Sequence, residues 1–352
     1  MRTSRLVLSL VAVLGTGVVG APRLMAADIP YKQATEIAVG GEGGWDYLAV
    51  DADAKRLYVS HATKVIVIDT ETNKVVGEIA PALGVHGIAI APELGRGFVS
   101  NGRESTASVV DLKTLQISST VKTGESPDCI LYEPGHQEVY TFNGRGKSAT
   151  VFDARSGEVR ATIPLPGKPE FAVVDEKAGR IYNNIEDTSQ IVVIDTAKHA
   201  VVATWPIAPG ESASGLAIDL EHHRLFAVTE NALLVALDSG SGKVLSTLKI
   251  GEGADAAKYD PGTGLVFASS SDGTLTVAKA DPAGKLSLVQ TLKSPPRSRT
   301  MAIDPKTHAL YVASAQFTAP APAASGAPPA RPQVVPGSFK VVVYQYAADG
   351  AK

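Results

Sequence analysis

The sequence predicts an all-β chain: a seven-bladed β-propeller with four-stranded blades, the last blade closed by the strand nearest the N-terminus. Three observations lead there. The first is the stretch Lys64-Val65-Ile66-Val67-Ile68-Asp69-Thr70-Glu71-Thr72-Asn73-Lys74-Val75-Val76. Its β-branched run suits a buried strand. Its Asp-to-Asn segment is turn chemistry, because such side chains bond nearby backbone N–H groups. The second is recurrence. The same unit returns around Asp111, Asp153, Asp195, Asp238 and Asp281, at spacings of 42, 42, 42, 43 and 43. The third is that two further short strands precede each copy. A period in the low forties with four strands per repeat marks a propeller blade.

Taken in order, the first unpaired strand falls at 34–39. The first full copy then runs as strand a (Tyr47 to Val50), strand b (Arg56 to Ser60), strand c (Val65 to Ile68) and strand d (Lys74 to Ile79). Strand a recurs from Gly87, Cys129, Phe171, Gly215, Ala256 and Thr300, which makes seven in all. The seventh copy is interrupted by a Pro/Ala-rich stretch, 319–336, whose composition disfavours regular structure. Strand c resumes at Phe339 to Tyr344, and the tail 347–352 offers no strand d. The strand at 34–39 supplies the missing one and joins the ring, which removes unpaired edges. The propeller domain is therefore expected to span 28–346.

The 352 residues are 44% hydrophobic, enough for a large core. The repeat makes them one domain where length alone would allow two or three. A net charge of −3 gives no general basic field for nucleic acid or anionic membrane. Residues 1–27 read as a secretory signal: Arg2 and Arg5, an apolar Leu6 to Val19, then Met25-Ala26-Ala27 as cleavage site. The apolar run is shorter than the roughly 20 residues that span a bilayer. The expected location is periplasmic or secreted, with no membrane span after signal removal, and the expected state is a monomer. Cys129 is the only cysteine, so no intrachain disulfide forms.

The motifs Arg56-Leu57-Tyr58-Val59-Ser60, Val67-Ile68-Asp69-Thr70 and Lys74-Val75-Val76 carry a resemblance. So do the loops ending Gly124-Glu125-Ser126-Pro127-Asp128 and Gly167-Lys168-Pro169-Glu170. Over about residues 34–346 the chain resembles the YVTN-repeat β-propellers, more closely the YncE-like bacterial periplasmic proteins. The resemblance implies the fold, an exported protein, and single-stranded DNA binding as one activity found in the group. It supplies no catalytic motif.

Strands alternate in direction, so loops b–c and d–a share one face. The d–a loops bring Trp45, Asp46, His86, Asp128, Glu170, Asp255, Arg297 and Arg299 to the channel mouth. The b–c loops bring His61, Asn101, Arg103, Asn143, Arg145, Asn184 and Glu186. Two readings stay open. In one, the charges pair with each other: Asp128 with Arg103 or Arg145, Glu170 with Arg145. In the other, they form a ligand site. Asp46, Asp128, Glu170 and Asp255, with Asn143, would then hold Ca²⁺ or Mg²⁺, which prefer oxygen ligands. Arg103, Arg145 and Arg299 would hold a carboxylate or phosphate. His86, between two glycines, is a candidate general base, and otherwise a loop hydrogen-bonding group. His61 reads as a surface loop residue. The aspartates of the a–b and c–d turns read as turn caps.

No zinc-type Cys/His spacing, phosphate loop or nucleophile elbow is present. The expected function is therefore non-catalytic binding of a small ligand or a protein partner at the mouth. The alternatives are a metal-assisted lactonase or lyase at the same mouth, and single-stranded DNA binding through Arg103, Arg145 and Arg299.

Overall fold

The computed structural model describes residues 30–319 and 332–347. These form seven four-stranded antiparallel sheets. Blade 1 is Trp45–Asp51, Arg56–His61, Lys64–Asp69 and Lys74–Ile79. Blades 2 to 6 repeat that plan, with inner strands Val85–Ala91, Pro127–Glu133, Pro169–Asp175, Ala213–Asp219 and Ala254–Asp260. Blade 7 combines Met301–Ile303, Leu310–Ser314 and Lys340–Tyr346 with Tyr31–Ala38 from the other end of the chain. That last strand begins three residues earlier than the sequence suggests, and pairs with Lys340–Tyr346 in register from Tyr31 opposite Tyr346 to Ala38 opposite Lys340. Each inner strand packs against the inner strands of both neighbouring blades, and the first meets the seventh, so the ring is closed.

The run that anchors the repeat is buried as its composition demands: Val65, Val67 and Ile68 are fully covered. The repeated aspartate caps the c–d turn. Asp69 Oδ1 accepts from the Glu71 and Thr72 amides and the Thr72 hydroxyl, at 3.1, 2.7 and 2.8 Å. Asp111, Asp153 and Asp238 do the same for their own turns. These bonds occupy backbone donors that the ladder cannot reach. On the same face Asp51 caps the a–b turn through the Ala54 amide at 2.9 Å.

Apolar cores lie between blades, one at each of the seven junctions. Strand b also reaches across. Arg96 donates to the Ala154 carbonyl at 2.9 Å, Tyr182 to Ser239 at 2.9 Å, and Arg224 to the Pro282 carbonyl at 2.5 Å. The repeat period therefore encodes both the blade and its contact with the next.

The segment 1–27 and most of the Pro/Ala-rich stretch lie outside the described residues. Of that stretch Val334 is described, and it bridges back to Phe317. No helix among the described residues is long and apolar enough to cross a membrane.

Candidate functional site

The mouth is built by a repeated irregularity. In blades 1 to 6 the inner strand breaks register just after its first residue: between Trp45 and Leu48, Val85 and Ile88, Pro127 and Ile130, Pro169 and Ala172, Ala213 and Leu216, Ala254 and Ala256. A bulge there redirects the residue it contains. Those second residues are Asp46, His86, Asp128, Glu170, Ser214 and Asp255. A bulge also strands backbone groups, and polar side chains of strand b take several of them up. Ser60 accepts from the Asp46 amide at 2.9 Å, and Ser100 from the Gly87 amide at 3.0 Å. Asn183 donates to the Glu170 carbonyl at 2.8 Å, and Asn184 to Ser214 at 2.9 Å.

Asp46, Tyr47, Asp128, Lys168, Glu170, Glu186, Ser214, Asp255, Arg299 and Thr300 line a well of about 220 Å³. The sequence reading thus places four carboxylates in one space. His86 Nδ1 lies 2.7 Å from Asp46 Oδ2 and 3.5 Å from Asp128 Oδ1. These three side chains offer ligand atoms all within 4.8 Å of one another. Asp128 Oδ1 is buried and accepts no hydrogen bond, and the nearby Tyr47 side chain favours the ionised carboxylate.

Burial and crowding set the charges. Desolvation raises Asp46, against the His86 hydrogen bond. Desolvation and the Asp46 charge lift Asp128 to about 6, against His86 and Lys168. Burial would lower the His86 imidazole, but the Asp46 hydrogen bond and the charges of Asp128, Asp46 and Glu170 outweigh it and bring it to about 8. Side chains at the bottom of a concave mouth keep some surface open, 30% for Asp46 and 31% for His86, yet gain little from bulk water.

The paired reading is corrected in its partners. Glu170 binds Lys168 at 2.6 Å, and Lys168 also holds Glu186 at 2.6 Å. Burial and the Asp128 charge push Glu170 up, against the pull of Lys168. Arg145 turns outward to Glu125 at 3.8 Å. Arg103 packs along Gly84. Asp255 faces Arg299 at 3.7 Å, and its carboxyl is raised by burial.

Five other expected residues sit elsewhere. Asn101 and Asn143 end strand b and face into their own blades, where they donate to Ser108 at 2.8 Å and Thr150 at 3.0 Å. Asn143 therefore ties strand b to strand c and is committed within the blade. Asn184 bridges blades 4 and 5. His61 is not a surface residue: it is 1% exposed and stacks on Phe339 at 4.2 Å, so burial lowers its imidazole. Trp45 turns toward Phe317 and Phe339, at 5.9 and 5.1 Å, and leaves the well for a neighbouring pocket.

Lys168 and Tyr47 were missed. Lys168 stood in the quoted Gly167-Lys168-Pro169-Glu170 loop, two positions from a carboxylate it was not weighed against. Tyr47 was read only as the first residue of strand a. With Phe171, 5.4 Å away edge to face, it partitions the well from a deeper apolar cavity of about 200 Å³. Lys258 lines that cavity with its ammonium 4.3 Å from the Phe171 ring.

No protein-family model matches the chain, and no curated protein matches it. Among solved structures it is similar to a chain of hydrazine synthase from Kuenenia stuttgartiensis. The TM-score is 0.67 at 16% identity, covering 77% of this chain and 92% of that one. It is also similar to a chain in the crystal structure of the mitotic checkpoint complex. There the TM-score is 0.71 at 11% identity, covering 99% of this chain and all of that one (100%). At these identities the likeness is one of fold. Topology and likeness agree that the chain is a seven-bladed β-propeller.

Proposed function

We propose that this propeller is a binding protein whose mouth takes a divalent cation between Asp46, His86 and Asp128. One observation carries the reading: the buried Asp128 Oδ1 has no hydrogen-bond partner and faces the other two ligand atoms. An unpaired buried carboxylate oxygen is costly unless something neutralises it. The donor set refines the expectation of Ca²⁺ or Mg²⁺. Glu170 and Asp255 already face cations, and an imidazole joins the remaining carboxylates once a metal displaces the proton it holds to about pH 8. Imidazole suits first-row transition ions better than Ca²⁺ or Mg²⁺.

The test is thermal unfolding with MnCl₂, ZnCl₂, CaCl₂ or MgCl₂, in wild type and Asp128→Asn. A hundredfold excess over Kd stabilises by about 2.7 kcal/mol, a rise of several degrees. We expect that rise with Mn²⁺ or Zn²⁺ in wild type only. Equal behaviour of the two proteins would refute the site.

The catalytic reading is weaker, because an imidazole kept protonated to about pH 8 is a poor base at neutral pH. Single-stranded DNA binding is weaker too: Arg103 and Arg145 stand apart from an acidic mouth, and phosphates need converging cations. Export to the periplasm or beyond, and kinship with the YVTN-repeat, YncE-like proteins, belong to the same proposal. They rest on residues 1–27 and the quoted repeats. Mass spectrometry of the mature N-terminus tests the first: a chain still carrying residues 1–27 after expression with an intact secretion apparatus would count against export.

A further inference from the structure

Beside the well lies a second pocket of about 580 Å³, within the usual range for small-molecule sites. Its walls are Trp45, Phe317, Arg297, Arg299 and Thr300, with Val334 across from them. We propose that this pocket binds an aromatic carboxylate, separately from the cation at the mouth.

Three features select that chemistry. The first is aromatic surface. Trp45 and Phe317 lie 5.9 Å apart at an interplanar angle of 53°, and both line the pocket. Rings recognise rings in offset or tilted arrangements. The second is uncommitted positive charge. Arg297 makes no ion pair among the described residues, and its guanidinium rests 5.0 Å from the Phe317 centroid. Arg299 is only loosely engaged, 3.7 Å from Asp255, with 56% of its side chain exposed. Two guanidinium groups at one wall offer the fork geometry that carboxylates fill. The third is an unsatisfied donor. Thr300 is 5% exposed and its hydroxyl has no partner, yet the residue lines this pocket. Buried hydroxyls without partners are uncommon, and this one stands at the wall shared by the pocket and the well.

The chain assembles these parts deliberately. Arg297 adopts a left-handed backbone, φ 66°, which a non-glycine residue pays for. Its amide is tied to the Ser271 carbonyl at 2.8 Å, so the loop is held in that shape. Phe317 is held by its bridge to Val334. Trp45 is backed by Phe339.

The experiment titrates indole-3-acetate into the intact chain in EDTA and follows the heat of binding by calorimetry. EDTA makes the outcome independent of the cation reading. We expect saturable binding by wild type. Indole-3-acetamide, which lacks the charge, should bind at least tenfold more weakly, as should Arg297→Ala and Arg299→Ala toward the acid. Both arginines are exposed, so circular dichroism melts should match wild type and exclude a folding defect. Equal affinity for acid and amide would overturn the proposal, as would undiminished binding by both arginine variants. So would no saturable binding into the millimolar range.

Discussion

Lys258→Met should make the protein more stable, and more so in acid than in base. The Lys258 ammonium lines an apolar cavity with Phe171 as its nearest compensation and, among the described residues, no carboxylate paired with it. Burial therefore lowers it from its usual 10.5 to about 8, slightly opposed by Cys129. The folded chain releases this proton near pH 8 and the unfolded chain near 10.5. Between those values the unfolded chain binds more protons, so stability rises with pH. Below pH 8 the full penalty applies. At about 1.4 kcal/mol per unit the shift corresponds to roughly 3 kcal/mol, an upper figure because the side chain is only partly covered. Methionine keeps the length and removes the charge. We expect urea unfolding at pH 6.5 to show the variant ahead by about 2 kcal/mol, allowing for that partial exposure. The gap should shrink steadily to near zero as pH approaches 10.5. A wild type as stable as the variant at pH 6.5, or a gap indifferent to pH, would refute the reasoning.

Asp153 runs the other way. Its carboxyl is held at about 2, first by the Ser156 amide, with Arg160 adding to it. That stability is present above the ordinary carboxyl range near 3.8 and is lost as pH falls through 2. After allowance for screening, Asp153→Asn should cost about 1 kcal/mol at pH 7; paired urea curves at pH 7 and pH 2.5 check that the cost fades in acid. Gly242 has φ 72°, and a methyl there would meet the Trp205 indole ring. Gly242→Ala should lower stability by about 2 kcal/mol, and a melting temperature within a degree of wild type would contradict it. Ile37 is 3% exposed in the strand that completes blade 7. Ile37→Ala should cost about 3 kcal/mol, read by chemical denaturation; a loss under half a kcal/mol would mean that this strand contributes little.

The fold was legible because its determinants are local and repeated. The capping aspartate and the β-branched strand c recur at a period of 42 or 43 residues, and each sits where that period puts it. The rim was legible as a set of positions but not as a set of partners. Asp46, His86, Asp128, Glu170 and Asp255 meet because each occupies the same bulge, and a period reveals such equivalence. Which base each acid finds depends on side-chain reach across blades, and no period carries that. Arg145 thus lost Glu170 to the nearer Lys168. Asn143 and His61 failed for another reason. They end strand b, where one further residue of pairing decides between facing the mouth and facing the core, and a one-residue boundary lies beyond pattern reading.

The strand Tyr31–Ala38 is fastened to Lys340–Tyr346, and the Glu36–Lys340 ion pair spans 304 positions. A circle latched by its own extremities cannot be finished by any fragment. During synthesis, the earliest of these strands must wait, without its neighbour, until the latest has emerged. Such a ring stays open for as long as its last strand is still being made.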